Sequence, residues 1–296
     1  MIDLIRRGFF AACVLMGVSL YAVSLNSSLG SETAVLLATV LSLLAAMVLE
    51  RLLPFRKDWN QSKGDTRTDI TSAVVLVALV EPLLKYAAPW LVAAAYMLWG
   101  ASPASSGPAG WSLGLQIVLV ILIAEFGKYW AHRAHHQVSA LWWLHALHHS
   151  SERLYTINNL RFHPVNHALN FLLGMVPVML LGFSADALWG YLAISQPVLI
   201  LQHANIDLKS GWLNSIFSTN EVHRWHHSRK RGEADYNFGA AFLIWDQVFG
   251  TFRADPYDVE QDVGLFGEDQ PYPARADYFR QLLSMFKPGC CARAAS

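Results

Sequence analysis

The chain has 296 residues, 54% of them hydrophobic and only 15% charged, with a mean hydropathy of +0.29 and a formal net charge of +0. Apolar residues gather in long blocks, which points to the membrane class and away from an ordinary soluble domain. The balanced charge gives a nucleic-acid partner no electrostatic support, and Cys13, Cys290 and Cys291 offer no disulfide framework.

In chain order, four segments read as membrane-crossing helices ahead of the first histidine, at 8–25, 33–53, 69–98 and 111–131; a crossing needs about 20 apolar residues. Arg6 and Arg7 precede the first, and no small-residue cleavage site follows it, so it reads as a retained anchor. The third is too long for one straight crossing and contains Glu81, Pro82 and Lys85. Proline breaks the hydrogen-bond ladder, and Glu81 and Lys85 stand at i,i+4, so a kinked helix with a self-neutralising pair is expected. Two shorter segments, 168–183 and 187–202, joined by "GFSADA" and holding Pro177 and Pro197, read as a helical hairpin.

Basic residues then set the orientation. Arg51, Arg56, Lys57, Lys63 and Arg67 lie between spans two and three, while the loops 26–32, 99–110 and 184–186 carry no Lys or Arg. Arg133, Arg153, Arg161, Arg224, Arg229, Lys230 and Arg231 lie in 132–167 and 203–296. Six crossings put both termini and both histidine-bearing segments on the cytoplasmic side, with "WGASPASSGPAGW" as an outside turn. The expected architecture is a single all-α domain, a polytopic membrane bundle with a cytoplasmic helical cap. Its parts are N-terminal spans at 1–131, a histidine-bearing core at 132–253 and a tail at 254–296, where "GCCARAAS" reads as a disordered end rather than a palmitoylation site.

All twelve histidines fall between His132 and His227. "HRAHH" supplies His132, His135 and His136; "HALHH" supplies His145, His148 and His149; "HRWHH" supplies His223, His226 and His227. On a helix, positions i, i+3 and i+4 share a face, so each triplet aims ring nitrogens together. A satisfied polar histidine, a pH-sensing cluster or interfacial snorkelling explains single residues. None of these explains the same spacing three times over at the ends of spans, so metal ligation is the expectation. Cysteine is absent nearby and no histidine precedes a glutamate, which argues against a structural zinc or an H-E-x-x-H protease. Eight or more neutral nitrogen donors suit a two-metal centre, and a redox metal that activates dioxygen is favoured, although spacing does not separate iron from zinc.

"EFGKYWAHRAHH", "LHALHHSSE", "RFHPVN", "LQHANI", "NEVHRWHHS" and "DYNFGAAFLIWDQVFGTF", in that order, resemble the fatty acid hydroxylase and sterol desaturase superfamily of membrane di-iron oxygenases over residues 110–253. The resemblance implies a lipid hydroxylase or desaturase with two iron ions, O2 as co-substrate and two electrons from an external donor such as a ferredoxin or small cytochrome. The substrate classes implied are sterol-like, fatty-acyl and alkylglycerol ether lipids; "HHSSE" leans toward the last and "RFHP" toward the first. Carried over residue by residue, the ligands are His132, His136, His145, His148, His149, His203, His223, His226 and His227, with His163 as a tenth. His135 and His167 are the two left over.

Ligating imidazoles normally donate their other N–H to a fixed acceptor. Glu125 shares the helical face of His132 and His136 but lies about 10 Å from His132 along the axis, so it is expected to serve a histidine of another helix or a water. Asp235 and Asp246 are similar candidates, with surface charge or capping as the plainer account. Trp130, Trp142, Trp143 and Trp225 read as an interfacial belt. Arg229, Lys230 and Arg231 form a basic rim suited to an acidic electron donor or to lipid heads. The competing reading is a membrane metal-binding or transport protein that holds zinc or copper without redox chemistry.

Overall fold

The computed structural model describes residues 1–100, 107–255, 262–267 and 272–287. Cys290 and Cys291, and much of the outside turn, lie outside the described residues. Helix α1 (Ile2–Ser24) and helix α2 (Ser31–Leu52) form an antiparallel pair turned at Gly30, whose φ of 73° is open to glycine at no steric cost. Arg6 and Arg7 lie inside α1: Arg6 pairs with Asp207 at 2.8 Å and Arg7 with Asp3 at 2.8 Å, so the basic end of this helix is tied to the protein.

The long third segment is α3 (Thr66–Val75), a π turn at Leu76–Val80, and α4 (Glu81–Trp99). Pro82 sits at the start of α4 and supplies no N–H, and the preceding turn widens until the N–H of Glu81 reaches the carbonyl of Leu76. The expected break is therefore a π turn just ahead of the proline. Helix α5 (Leu113–Gln137) ends where Val138 turns extended, and α6 (Ser139–His149) follows at once. The hairpin is α7 (Pro164–Leu180) and α8 (Ala185–Leu201). Ser184 caps α8 by accepting from the N–H of Ala187 at 3.2 Å.

Among the described residues four helices are long and apolar enough to cross a membrane, Ile2–Ser24, Ser31–Leu52, Thr66–Trp99 and Leu113–Gln137, with the two hairpin helices shorter. Small residues let them approach closely: a Cβ on Gly17 would lie 2.2 Å from the carbonyl of Ala193, and one on Gly127 would lie 1.9 Å from that of Leu173. Leu, Val and Trp side chains such as Leu41, Val77 and Trp90 stay exposed on the outer faces, as lipid contact allows. This is an all-α membrane bundle, and among the described residues the only β pairing is isolated bridges such as Phe217 with Phe242.

At one end the bundle carries a cap. It comprises α6, a 3-10 turn at Thr156–Leu160, α9 (Asn220–His226), α10 (Arg231–Ala234), α11 (Ile244–Phe249) and α12 (Tyr278–Leu283). Buried ion pairs fasten it to the spans. Arg161 donates to Asp69 at 3.0 Å, Tyr155 donates to the same carboxylate at 2.7 Å, and Arg153 meets Asp65 at 2.7 Å. Glu50, at the end of α2, accepts both the N–H and the hydroxyl of Thr156 at 2.9 and 2.7 Å.

Candidate metal centre

The last two turns of α5 present His132 and His136, and α6 presents His145, His148 and His149. His203 follows α8, and α9 with its cap presents His223, His226 and His227. These fall into two groups whose ring nitrogens lie within 4.8 Å of one another: His132, His136, His145, His149 and His226 in one, His148, His203, His223 and His227 in the other. The two H-x-x-H-H boxes are used in opposite senses. From α6, the i,i+4 pair His145 and His149 enters the five-histidine group and His148 the other; from α9, the i,i+4 pair His223 and His227 enters the four-histidine group and His226 the other. Helical periodicity makes this division, because i+3 and i+4 splay to either side of the line through i.

The rings are aimed by acceptors behind them. His132 Nδ1 donates to the carbonyl of Phe238 at 2.8 Å, His148 Nδ1 to that of Arg161 at 3.2 Å, and His226 Nδ1 to that of Tyr236 at 3.0 Å. His145 Nδ1 reaches the amide oxygen of Asn166 at 3.3 Å, His203 Nδ1 that of Asn158 at 2.9 Å, and His136 Nδ1 the carboxylate of Asp235 at 3.2 Å. Protons held outward leave Nε2 lone pairs pointing inward. Those of His132 and His145 meet at 3.0 Å, a repulsive contact between two acceptors. Nitrogens bound at 2.0–2.1 Å to one cation stand roughly 2.9–3.3 Å apart, so a metal converts the repulsion into ligation. The contacts of His149 with His145 and His226, and of His223 with His203 and His227, are all 3.2 Å.

Burial, followed by the repulsion of neighbouring imidazoles, holds His145, His149, His203, His223, His226 and His227 well below the ordinary value of 6.5. Burial also takes His148 down to about 3. All are neutral near pH 7, the state a metal needs.

Of the ten ligand positions implied by the resemblance, nine fall in these groups, five and four. His163 is in neither: it stands at the N-terminus of α7, where its Nδ1 accepts from the N–H of Val165 at 3.1 Å. His135 turns back to the carbonyl of Ala131 at 2.6 Å, and His167 pairs with Glu81. Glu125 serves neither a histidine nor a metal group. It accepts from the Tyr191 hydroxyl at 2.6 Å and from the N–H groups of Ala241 and Phe242 at 2.9 and 3.0 Å. Asp246, fully buried, accepts from the N–H groups of Phe238 and Gly239, both at 2.7 Å, and from the Thr251 hydroxyl at 2.8 Å. Neither surface charge nor capping accounts for it. The two carboxylates clamp the loop whose Phe238 carbonyl orients His132.

Three tryptophans depart from the interfacial-belt expectation. Trp142, Trp143 and Trp225 are buried, with Trp142 stacked on Phe266 at 4.7 Å and packed edge-on to His136 at 5.0 Å; Trp130 is exposed. Two cations of the basic rim are paired, Arg229 with Glu152 at 3.2 Å and Lys230 with Glu233 at 3.4 Å, and Arg231 lies over Phe266. Sequence reasoning passed over Asn158, Asn166 and Phe162, the last stacked on His148 at 4.2 Å. Phe162 and Asn166 belong to "RFHPVN" and Asn158 lies three residues ahead of it, which was their only signal.

A membrane bundle capped by two neighbouring histidine groups defines the class: an integral membrane protein with two clusters of imidazoles that could each hold a metal ion. The fatty acid hydroxylase family model matches residues 117–251. The ornithine lipid hydroxylase OlsE of Rhizobium tropici is 38% identical over 234 residues, covering 77% of this chain and 70% of that protein. The alkylglycerol monooxygenase of Caenorhabditis elegans is 28% identical over 155 residues, 52% of this chain and 30% of that protein; the human one is 31% identical over 131 residues, 44% and 29%. The chain thus spans under a third of those two monooxygenases. No solved structure matches. This chain belongs to the fatty acid hydroxylase family, within the fatty acid hydroxylase and sterol desaturase superfamily, and is an oxidoreductase of that type.

Proposed function

We propose that the protein is a membrane di-iron oxygenase that uses O2 and two external electrons to hydroxylate a lipid. The single observation that carries this reading is the mirrored sharing of the two H-x-x-H-H boxes between adjacent nitrogen groups, which suits a pair of metal ions better than one. His132, His136, His145, His149 and His226 would hold one ion, and His148, His203, His223 and His227 the other. When bound, iron supplies activation of O2 for attack on an unactivated C–H bond. The protein's own part is to keep the imidazoles neutral by burial, to fix six of the nine rings through acceptors at Nδ1, and to exclude water with Trp142, Phe162, Phe238 and Phe266.

Hydroxylation is preferred to desaturation because the relatives are named as hydroxylases and monooxygenases. A polar acyl lipid, as in the name of the ornithine lipid hydroxylase, is the preferred substrate class. The basic residues of the cap and of the loop after α2 support a cytoplasmic histidine site, with electrons from a separate ferredoxin or small cytochrome.

The test is iron per polypeptide in protein made with abundant iron, together with lipid mass spectrometry under 18O2 and reductant. Two irons per chain and one labelled oxygen in a lipid are expected. Zinc alone, without oxygen insertion, would overturn the proposal in favour of a metal-holding protein. A loss of two mass units without label would replace hydroxylation by desaturation.

A further inference from the structure

Helices α4 and α7 run the same way, from the cap into the bundle, and are clasped at two heights. Near the cap, His167 pairs with Glu81; fifteen and thirteen residues on, the Tyr96 hydroxyl donates to the carbonyl of Leu180. Around the second clasp lies an open apolar groove of about 540 Å³, lined by Pro89, Ala93 and Tyr96 of α4, Met179 of α7, Phe183 of the turn and Leu188 of α8. Ligand pockets are commonly ~300–1,000 Å³. At ~1.5 Å of rise per residue, the stretch Pro89–Tyr96 lies roughly 12–22 Å from Glu81 along the helix.

The cap end of this seam is charged. Glu81 also meets Lys85 at 3.6 Å, and the side chains of Glu81, His167 and Lys85 are 29%, 24% and 61% exposed on helices otherwise facing lipid. Ionisable groups at such positions are costly and commonly mark substrate sites. Phe162 links the pair to the metal groups, its ring 6.0 Å from that of His167 and 4.2 Å from that of His148. One seam therefore offers both charge signs near the histidines and an open apolar groove at its far end.

We infer that the α4–α7 seam is the lipid site, and that it selects an acyl lipid whose head carries both an ammonium and a carboxylate. The ammonium pairs with Glu81, the carboxylate with Lys85, and the acyl tail lies along the groove at the far end of the seam. This rests on the proposed lipid oxygenase activity and adds where the lipid lies and what selects its head. A neutral head gains neither ion pair, and a purely anionic head meets the Glu81 carboxylate.

The test uses the full chain in nanodiscs, without turnover. The probes are an N-acyl-ornithine lipid and a 1-O-alkylglycerol, each bearing a diazirine near the tail end, with adducts mapped by mass spectrometry. The ornithine lipid is expected to label 89–96 and 179–188. Glu81→Gln, which keeps a hydrogen bond to His167 but removes the charge, should cut that labelling about tenfold and leave the alkylglycerol within twofold. Ala93→Trp, filling the groove, should cut both while metal uptake and helicity match wild type. Labelling away from the seam, or equal loss of both probes in Glu81→Gln, would overturn the inference. Protein that labels as expected but neither takes up iron nor inserts oxygen overturns the proposed activity and leaves this site standing; protein that oxygenates lipid while labelling elsewhere overturns this site alone.

Discussion

Removing metal should leave a protein that acid opens at the cap. His148 is the worked case: burial takes its folded pKa from 6.5 to about 3. A folded pKa below the unfolded one means that, as pH falls under 6.5, the unfolded chain takes up a proton that the folded ring refuses. Stability is then lost as pH drops from 6.5 toward 3 and is unaffected above 6.5. At about 1.4 kcal/mol per pH unit, His148 alone removes ~2 kcal/mol between pH 6.5 and 5. His145, His149, His203, His223, His226 and His227 are displaced in the same direction by burial. Each therefore adds to the acid-induced loss in the same direction as His148. The assay is the thermal transition of chelator-treated protein in detergent, followed by tryptophan emission because Trp142 packs against His136 and His149. The midpoint should fall steeply between pH 6.5 and 5, and metal-loaded protein should resist because protons must first displace the ions. A flat profile for the metal-free protein over this range, or identical acid sensitivity with and without metal, would refute the reasoning.

Ala in place of His149 should reduce bound metal from two ions per chain to one held by the four-histidine group, and Ala in place of His203 should have the converse effect; elemental analysis with spectroscopy of cobalt-substituted protein distinguishes the two. Asp246→Asn sets an amide N–H against the N–H of Phe238 or Gly239, a buried mismatch of about 1–3 kcal/mol. Because Phe238 orients His132, metal affinity of the five-histidine group should fall at least tenfold in a competitive chelator titration. Arg161→Met strands the fully buried Asp69 and should cost about 3–5 kcal/mol, with Asp69→Asn in the same chain restoring most of the melting temperature. Gly127→Ala brings a methyl to 1.9 Å from the Leu173 carbonyl, so α5 and α7 must part, at about 1–3 kcal/mol; an unchanged melting temperature would show that the contact yields freely.

Some features of this molecule are written locally. The spans could be read because a bilayer demands apolar length, and they appear as α1, α2, the α3–α4 segment and α5, with α7 and α8 as the hairpin. The histidine boxes could be read because helical periodicity turns x-x spacing into a shared face. Other features depend on which helix crosses which. Periodicity splits each box between two directions, but which histidines of α6 share a group with which of α9 follows from how the two helices are placed. Glu125 shares a face of α5 with His132 and His136, yet the loop at 238–242 takes one of its oxygens for backbone N–H groups and the Tyr191 hydroxyl takes the other. His163 and His167, alike by spacing, separate because one caps its own helix and the other finds Glu81 on a neighbouring one. Periodicity and apolar length are properties of a single helix and survive in sequence; the acceptors behind six of the rings come from other segments, and only packing brings them there.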